Sequence, residues 1–493
     1  MSGLEARLDR YAAYLGEKQA RIRGYYEREA ERYARRWLPL NRFYYDELAR
    51  LLQRLVPPGR RVLDVGCGLG NALAAVRPRY GVGIDVSGAM LAEARRIHPE
   101  LTFRELPGER ADELGETFDY VLISNALTEV VDVRRFLRAL RPVMRRDSRL
   151  VIVGTNFLWE PLLQLGGRLG LRPRGPEQNW FSPGDYRTLL RAAELDVIRQ
   201  GSAVLVPKRV PGLSRLLNGV SGALPAVDKL GVLSYFVARP EPEPEPQNSL
   251  SVTVVVPCKD EQDNVPELVA RMPALGREVE LIFVDDRSTD ATAERVREAI
   301  ARYPTRAIKL VEGPGRGKGA AVRAGLEQAT GDVLMILDAD MTVMPEVLPD
   351  FLELIASGKA EFVNGSRLVY PMQEGAMRLA NVFGNKLFAS LFSFILEQPL
   401  KDTLCGTKVI RRSDYTKLLE TRRQLGEVDL WGDYDWIFGA ARHHLKIVEL
   451  PVHYMARTAG ETKMNRRLRN ASVMLRMSLH GLRALKLGGG RSS

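Results

Sequence analysis

Cysteine and long apolar runs are scarce in this chain of 493 residues. Its three cysteines, Cys67, Cys258 and Cys405, lie far apart, so the sequence contains neither a disulfide framework nor a CxxC metal pair. We therefore expect a reducing, cytoplasmic setting. No uninterrupted run of about 18 apolar residues is present, which argues against a membrane-spanning helix. The first 50 residues lack a basic segment followed by an apolar one, so we expect no secretory signal.

The composition is that of an ordinary folded protein, with 45% hydrophobic and 27% charged residues. These values exclude a largely disordered, collagenous or fibrous chain, and the length predicts about two to four domains. The net charge of +11 is concentrated at the end, because residues 457–493 contain nine Lys or Arg and one acid, Glu461. Such a tail attracts anionic lipid, nucleic acid or a phosphorylated substrate, unless it is only a solvated basic face.

The composition changes abruptly at residues 239–248, RPEPEPEPQN. Alternating Pro and Glu predicts an extended, semi-rigid spacer. We therefore predict a first domain over residues 1–238 that opens with a charged helical extension, a linker over 239–249, and a second domain over 250–493. Strands alternate with helices on both sides of the linker, which predicts two successive α/β domains with parallel sheets.

A glycine-rich turn follows the first strand of the first domain. In VLDVGCGLG, three glycines, Gly66, Gly68 and Gly70, allow a sharp turn and close approach of a ligand. Asp85 ends the next strand, 21 residues after Asp64, where an acid can reach ribose hydroxyls. A nicotinamide dinucleotide site is the alternative, but DxGxGxG differs from the GxGxxG turn that seats a pyrophosphate.

This segment, with the strand FDYVLISNAL (118–127), resembles class I S-adenosylmethionine (SAM)-dependent methyltransferases of Rossmann-like fold. The resemblance implies that Gly66, Gly68 and Gly70 surround the methionine part of the cofactor, with Asp64 at the same turn, and that Asp85 holds its ribose. For the methyl acceptor, the polar and aromatic residues Glu177, Gln178, Asn179 and Trp180 are candidates. The alternative is a polar loop that caps the next helix through Ser182 and Asp185. Glu109 is a weaker candidate for contact with adenine.

Several acidic and glycine-rich motifs follow the strands of the second domain. VVVPCKD brings Pro257 and Glu261 to a strand end, VDD brings Asp285 and Asp286, and GPGRGKG places Lys318 at the start of a helix. Backbone N–H groups and an ammonium at such a loop can bind phosphate, although the spacing is not that of GxxxxGK[ST].

The motif LMILDAD is the most specific of these signals. Asp338 and Asp340 stand at i and i+2 after a continuous apolar strand, so their carboxylates face the same side. Two carboxylates held together repel unless a cation joins them, and Mg²⁺ or Mn²⁺ bridging a diphosphate fits that requirement.

Together these motifs resemble family 2 glycosyltransferases of the GT-A fold, and more closely the dolichyl or polyprenyl phosphate mannose synthases. The resemblance implies three sites. The donor site for a nucleotide-sugar would consist of Pro257, Glu261, Asp286, Lys318 and Asp338. Asp338 and Asp340 would hold the metal, and Arg367, Arg457 and Lys463 would hold the acceptor phosphate. The segment DTLCGTKVIRR, with Asp402 and Lys408, also fits that group. Thr342 stands where the family often has a glutamine, so the third metal ligand is open.

The nature of the acceptor decides whether the second domain needs a base. A lipid phosphate is already anionic, whereas a hydroxyl acceptor requires a carboxylate, for which GDYDWIF offers Asp433 and Asp435. A helix-terminal role is the alternative for either acid. The apolar segment 377–400 and the basic Met-rich segment 464–487 predict peripheral contact with a membrane surface, with a buried or domain-docking helix as the rival.

The sequence therefore predicts a bifunctional enzyme, a SAM-dependent methyltransferase joined to an inverting glycosyltransferase. The glycosyltransferase would use Mg²⁺ or Mn²⁺ and charge a polyprenyl phosphate, or another membrane-associated acceptor, on the cytoplasmic face of the membrane. The alternatives are a non-catalytic SAM-binding domain beside a hydroxyl-directed glycosyltransferase, and an RNA methyltransferase with a basic tail. RNA chemistry has no use for the DxD motif, so we expect no nucleic-acid partner. The sugar, the nucleotide, the methyl acceptor and the oligomeric state are left open.

Overall fold

A computed structural model describes residues 3–173, 175–176, 178–221, 227, 229–370, 379–425, 432, 434–456 and 467–487. These residues divide into two compact units. The N-terminal unit takes the described part of Met1–Glu241 with Lys486 and Leu487, and the C-terminal unit takes that of Pro242–Leu485. Within the described part of the chain, no helix is both long and apolar enough to cross a membrane.

Each unit contains a seven-stranded sheet. The strands of the N-terminal unit are β1 (Arg61–Val65), β2 (Tyr80–Asp85), β3 (Thr102–Glu105), β4 (Phe118–Ser124), β5 (Met144–Thr155), β6 (Leu195–Ala203) and β7 (Leu233–Pro240). Its helices are α1 (Gly3–Arg32), α2 (Leu38–Leu40), α3 (Arg42–Leu55), α4 (Asn71–Ala75), α5 (Gly88–Ile97), α6 (Val133–Ala139), α7 (Glu160–Arg168), α8 (Pro183–Ala192) and α9 (Ser214–Ser221).

The C-terminal unit repeats the alternation of strands and helices. Its strands are β8 (Ser251–Cys258), β9 (Glu278–Asp285), β10 (Ala307–Glu312), β11 (Val333–Ile336), β12 (Phe362–Ser366), β13 (Lys408–Arg411) and β14 (Ile447–Pro451). Its helices are α10 (Val265–Arg271), α11 (Thr292–Arg302), α12 (Lys318–Glu327), α13 (Leu348–Ala356), α14 (Leu379–Leu396), α15 (Arg412–Leu425), α16 (Tyr434–Arg442) and α17 (Arg467–Gly481).

Both sheets are mixed, whereas the alternation of strands and helices predicted parallel ones. In the first, the order is β3-β2-β1-β4-β5-β7-β6, and β7 runs antiparallel to both neighbours. In the second, the order is β10-β9-β8-β11-β13-β12-β14, and β13 is the antiparallel strand. The two α/β domains in the predicted order, Rossmann-like and then GT-A, are confirmed.

The central strands are buried on both faces, as their sequences require. β8 reads SVTVVVPC, and its six residues from Ser251 to Val256 are all buried. β-branched residues suit such a two-sided position in a parallel stretch of sheet. The carboxyl ends of β1, β2 and β4, and those of β8, β9 and β11, therefore meet along one edge of each sheet, where the predicted functional motifs lie.

The linker between the units begins later than residue 239, where the composition predicted its start. β7 extends to Pro240, and Arg239 lies buried in this strand with its guanidinium paired to Asp196 at 3.1 Å. The first two residues of the predicted linker, 239–240, thus belong to the sheet. The Pro and Glu alternation begins to separate the units only after them.

Candidate active sites in the two units

The turn after β1 is held by backbone geometry and by one carboxylate. Gly66 has φ of 71°, and a Cβ there would lie 2.5 Å from the Cβ of Ala126, so the position admits no side chain. The amides of Gly68 and Ser87 donate to the two oxygens of Asp85, at 2.8 and 3.0 Å. Asp85 therefore fixes the shape of the turn as well as ending β2.

A cavity of about 680 Å³ opens at this turn. Four of the five predicted cofactor residues, Asp64, Gly66, Gly68 and Asp85, line it. Gly70 is instead the N-cap residue of α4, where the ring of Phe103 occupies the space that a side chain would need. Glu109, considered for adenine contact, also lines the cavity. The space and the close backbone approach fit a nucleoside cofactor of the predicted kind.

Asp64 is the most perturbed acid of this site. Its side chain is fully buried, and neither carboxylate oxygen has a hydrogen-bond partner among the described residues. Burial raises the pKa of Asp64 to about 8, and the nearby Asp85 carboxylate adds to the effect. A buried carboxyl group without a partner at the cavity wall is a polar group suited to a cationic or hydrogen-bonding ligand.

The cavity is also lined by a carboxyl group that the sequence did not reveal. Glu129, just after β4, accepts hydrogen bonds from the Tyr26 hydroxyl at 2.6 Å and from Gln178 Nε2 at 3.2 Å. Burial raises the pKa of Glu129, with the Tyr26 and Gln178 hydrogen bonds opposing it. Glu129 and Tyr26 both line the cavity. The only sequence signal was the run of tyrosines in the charged N-terminal helix.

Helix α1 forms part of the cavity wall because acidic side chains attach it to the sheet edge. Glu27 accepts the amides of Gly88 and Ala89 at 2.8 and 3.2 Å, which caps the start of α5. Gln19 donates to Glu109 at 3.2 Å. The predicted N-terminal helical extension is thus part of the site.

The segment proposed for the acceptor lies beside Glu129. The Gln178 side chain donates directly to Glu129. Asn179 donates its backbone N–H to Thr128 O at 2.6 Å and its side-chain Nδ2 to Val130 O at 2.9 Å. The alternative capping role is present at the same time, since Ser182 and Asp185 form a capping box at α8. Trp180 is half-buried, and Glu177 lies outside the described residues.

In the C-terminal unit, the loops after β8 and β9 are joined by hydrogen bonds. Pro257 is the penultimate residue of β8, and Glu261 follows it with its amide bonded to Thr292 Oγ1 at 2.8 Å. The Asp286 carboxylate accepts the amides of Gly315 and Gly317 at 2.7 and 2.8 Å. Asp286 therefore shapes the glycine-rich loop, which places Lys318 at the first position of α12.

Lys318 and the DxD motif lie in direct contact. Lys318 Nζ is 2.6 Å from Asp338 Oδ1, with about a third of each side chain exposed. Burial pushes the pKa of Asp338 upward, but the cations of Lys318, Lys408 and Arg367 outweigh it and hold the pKa below its ordinary value. Asp338 is therefore anionic at neutral pH, within a strongly positive neighbourhood.

The CGTK loop lies against the same carboxylate. A Cβ on Gly406 would lie 2.1 Å from Asp338 Oδ2 and 2.6 Å from Lys318 Nζ, so only glycine fits there. Lys408, two residues on, is completely buried and donates to the Cys405 carbonyl. Sequence analysis noted this loop but did not place it at the DxD motif.

The second aspartate of the motif is held by its neighbour. Asp340 is buried, and its Oδ1 accepts both the amide of Thr342 at 3.1 Å and the hydroxyl of Thr342 at 2.7 Å. Thr342, which stands in place of the family glutamine, thus orients Asp340 in this structure. No cluster of three or more His, Cys, Asp or Glu side chains suited to a metal occurs among the described residues. Two carboxylates still fit Mg²⁺ or Mn²⁺, which commonly take further oxygens from substrate phosphates.

Arg367 is paired with a buried acid. Its Nε and Nη2 bind the two oxygens of Asp402 at 2.7 and 2.8 Å, and its guanidinium lies over the Tyr454 ring at 5.1 Å. Asp402 is fully buried and also accepts Asn385 Nδ2 at 2.8 Å. Burial alone would raise the pKa of Asp402, but the Arg367 cation holds it well below its ordinary range.

The predicted base candidates and acceptor cations are only partly described. Asp435 lies in the first turn of α16, with its Oδ2 3.4 Å from Arg422 Nε. Gly432, just before this helix, lies against Gly319 at the start of α12. Asp433, Arg457 and Lys463 lie outside the described residues.

Comparison with known proteins agrees with this division. A family profile described as "Glycosyl transferase family 2" matches residues 253–419, and one described as "Methyltransferase domain" matches residues 34–200. The chain is 28% identical over 229 residues to a dolichol-phosphate mannosyltransferase of Pyrococcus furiosus, covering 43% of this chain and 58% of that protein. It is 30% identical over 244 residues to an undecaprenyl-phosphate 4-deoxy-4-formamido-L-arabinose transferase of Pseudomonas aeruginosa, covering 48% and 68%.

Solved structures of both kinds are also similar. A mannosyltransferase from Pyrobaculum calidifontis, in complex with GDP-Man and Mn²⁺, is 22% identical with a TM-score of 0.34 and is covered to 64%, over 48% of this chain. A SAM-dependent methyltransferase from Thermotoga maritima, a possible histamine N-methyltransferase, is 16% identical with a TM-score of 0.35 and is covered to 99%, over 44% of this chain.

The chain belongs to glycosyl transferase family 2 through its C-terminal unit and carries a methyltransferase domain in its N-terminal unit. The two resemblances inferred from the motifs are thereby confirmed, and the methyltransferase fold supports SAM as the cofactor. The chain spans 58% of the length of the P. furiosus relative and 68% of that of the P. aeruginosa relative.

Proposed function

We propose that the protein is a bifunctional enzyme. Its C-terminal unit transfers a sugar, with inversion, from a nucleotide-sugar to a polyprenyl phosphate or another membrane-associated acceptor, and its N-terminal unit transfers a methyl group from SAM. The observation that carries the first activity is the cluster of Lys318, Lys408 and Asp338 at the strand edge. The P. furiosus and P. aeruginosa relatives are a dolichol-phosphate and an undecaprenyl-phosphate transferase, which supports a lipid phosphate acceptor.

The charged groups of this site suit the diphosphate of a nucleotide-sugar donor. The amides of the glycine-rich loop and the Lys318 ammonium suit a diphosphate, and Pro257, Glu261 and Asp286 adjoin them as the nucleoside side. Asp338 and Asp340 would hold Mg²⁺ or Mn²⁺, which supplies charge neutralisation to the diphosphate when bound. Lys318 stabilises the negative charge that develops on the departing nucleoside diphosphate.

The acceptor oxygen attacks the anomeric carbon from the face opposite the leaving group, which inverts the configuration. A lipid phosphate needs no base, because its oxygen is already anionic. Arg367 would help to hold it through Nη1, since Nε and Nη2 bind Asp402. Arg457 and Lys463 remain candidates for the same task. A hydroxyl acceptor would instead require Asp433 or Asp435 as base, and Asp435 would then have to leave Arg422.

We further propose peripheral contact with the cytoplasmic face of a membrane. α14 buries Phe392, Ile395 and Leu396 in the core of the C-terminal unit, so one face of it is a core helix. Its Leu387 is 70% exposed, and on α17 Leu475 and Leu479 are also exposed. These outward apolar residues on helices with basic neighbours suit an interfacial position.

In the N-terminal unit, Asp64, Gly66, Gly68 and Asp85 would hold SAM in the cavity. Methyl transfer requires the acceptor atom in line with the departing sulfur, so positioning supplies much of the rate. Glu129, supported by Tyr26 and Gln178, is placed to orient the acceptor and to take its proton. The raised pKa of Glu129 brings it toward the pH at which a general base is effective.

The glycosyltransferase proposal is tested by lipid extraction. The protein is incubated with Mg²⁺, polyprenyl phosphate in detergent and a panel of radiolabelled nucleotide-sugars, and label in the organic phase is counted. Acid-labile label that disappears in Asp340→Asn identifies a lipid phosphate sugar and names its donor. Glu346→Gln is the matched control, because Glu346 makes a surface pair with Arg271 in the same unit. Donor binding without any label in the organic phase would refute the lipid phosphate acceptor.

A further inference from the structure

The N-terminal unit carries an exposed row of leucines on α7 and the turn before it. Leu158, Leu162, Leu165 and Leu169 are between 50% and 66% exposed. We call these four residues the leucine surface. Their spacing of four, three and four residues places them on one face of a continuous helical segment, from the turn Phe157–Trp159 through α7. An amphipathic helix normally buries such a face, so its exposure requires a reason.

A second exposed apolar segment emerges at the same edge of the sheet. Val210, Leu213 and Leu216, around the start of α9, are 44–62% exposed. α7 follows β5 and α9 follows β6, and both strands end opposite Leu233, the first residue of β7. Trp159 Nε1 donates to Leu230 O at 2.8 Å, which fixes the α7 segment beside the start of β7. The two apolar segments therefore share the edge where the carboxyl ends of the parallel strands and the cofactor turn lie.

The charges around these leucines are of one sign. Residues 157–172 and 206–221 contain five basic side chains, Arg168, Arg172, Lys208, Arg209 and Arg215, and one acid, Glu160. All five except Arg172 are exposed. Exposed leucines with basic neighbours favour a binding partner that has an apolar interior and an anionic surface.

We propose that the leucine surface and the α9 segment bind an anionic phospholipid bilayer and lie at the headgroup boundary. The leucines enter the acyl boundary, and the arginines and lysines meet lipid phosphates. This contact would be independent of the membrane contact proposed for α14 and α17. Because the surface shares its edge with the cofactor turn, it would present the methyl-transfer cavity to acceptors that reside in the membrane.

The full-length protein is tested by flotation with vesicles of phosphatidylethanolamine and phosphatidylglycerol, and with vesicles of phosphatidylcholine alone. The variant Leu162→Ser/Leu169→Ser should bind the anionic vesicles at least about tenfold more weakly, since each buried leucine is worth roughly that factor. Arg168→Gln/Arg215→Gln should weaken binding to the anionic vesicles only. The control Leu40→Ser removes a leucine of α2 that is 51% exposed and belongs to neither proposed membrane surface, so it should leave vesicle binding unchanged.

Folding and self-association are checked in the same variants. S-adenosylhomocysteine binding shows whether the N-terminal unit remains folded, and light scattering gives the mass in solution. Unchanged vesicle binding in Leu162→Ser/Leu169→Ser would overturn the proposal. So would a wild-type dimer that becomes monomeric in this variant without a change in vesicle binding, because the surface would then be an interface between copies. Glycosyl transfer to detergent-solubilised acceptor is independent of this surface, so failure here leaves the glycosyltransferase proposal untouched.

Discussion

The pair formed by Arg367 and Asp402 offers a sharp energetic test, through the substitution Asp402→Asn. Five N–H groups converge on the Asp402 carboxylate: two from the Arg367 guanidinium, the Arg367 and Leu404 amides, and one from Asn385. An asparagine has one oxygen and turns an NH₂ group toward some of these donors. It also leaves the Arg367 cation buried without its counter-charge.

We expect Asp402→Asn to destabilise the C-terminal sheet by about 3–5 kcal/mol, which is the usual cost of leaving one charge of a buried ion pair without its partner. The surface control Glu346→Gln should cost less than about 1 kcal/mol. Because the protein has two units, amide hydrogen exchange of β12 and β13 is the suitable assay, since it reports opening of this sheet alone. Equal effects of the two substitutions would refute the assigned strength of the pair.

The pH dependence provides a second criterion for the same pair. The pKa of Asp402 is depressed in the folded protein, so its stabilising contribution is complete above the ordinary value of 3.8 and is lost as the pH falls below it. The difference in stability between wild type and Asp402→Asn should therefore be flat near neutral pH and shrink in acid. A difference that grew in acid would contradict the sign.

Three further results are expected from single substitutions. Gly66→Ala should weaken S-adenosylhomocysteine binding at least about tenfold in calorimetry, because its φ of 71° and the nearby Ala126 exclude a side chain. The pKa of Asp64 is raised to about 8, so the stability of β1 should fall as the pH rises from about 4 to 8; Asp64→Asn should remove this slope in hydrogen exchange. Lys318→Ala should lower kcat for glycosyl transfer about 10²–10³-fold with little change in stability, and should move the acidic limb of the pH profile upward as Asp338 loses its partner.

The sequence was informative about the fold wherever local pattern determines structure. Continuous apolar strands and the helices between them follow from side-chain periodicity, and they predicted both α/β units. The antiparallel strands β7 and β13 were not predicted, because strand direction depends on how the chain returns to the sheet and not on its own residues. For the same reason, Arg239 and Pro240 looked like linker although they end a buried strand.

Some contacts within the candidate sites could likewise be predicted from the sequence, and others could not. Lys318 and Asp338 lie 20 residues apart, one at the start of α12 and the other just after β11. Both positions lie at the carboxyl edge of the sheet, so their proximity is predictable from the topology. The contact of Tyr26 with Glu129 spans 103 residues and depends on where α1 docks, so no local motif announces it. Arg367 was assigned to an acceptor phosphate from the family resemblance, and the buried acid that binds two of its nitrogens could be found only in three dimensions.

One arrangement recurs in the two units and bears on how their acids should be tested. In each unit a carboxylate at the end of the second strand binds the amides of a glycine-rich segment: Asp85 that of Gly68, and Asp286 those of Gly315 and Gly317. Each oxygen keeps a further lone pair that can accept a ligand hydroxyl, so holding the loop and binding the ligand are compatible. An alanine at either position removes both, and lost ligand binding alone would not demonstrate a direct contact. Hydrogen exchange of the glycine amides in the ligand-free variant separates the two roles: unchanged protection with lost binding points to direct contact, and lost protection points to the shape of the loop.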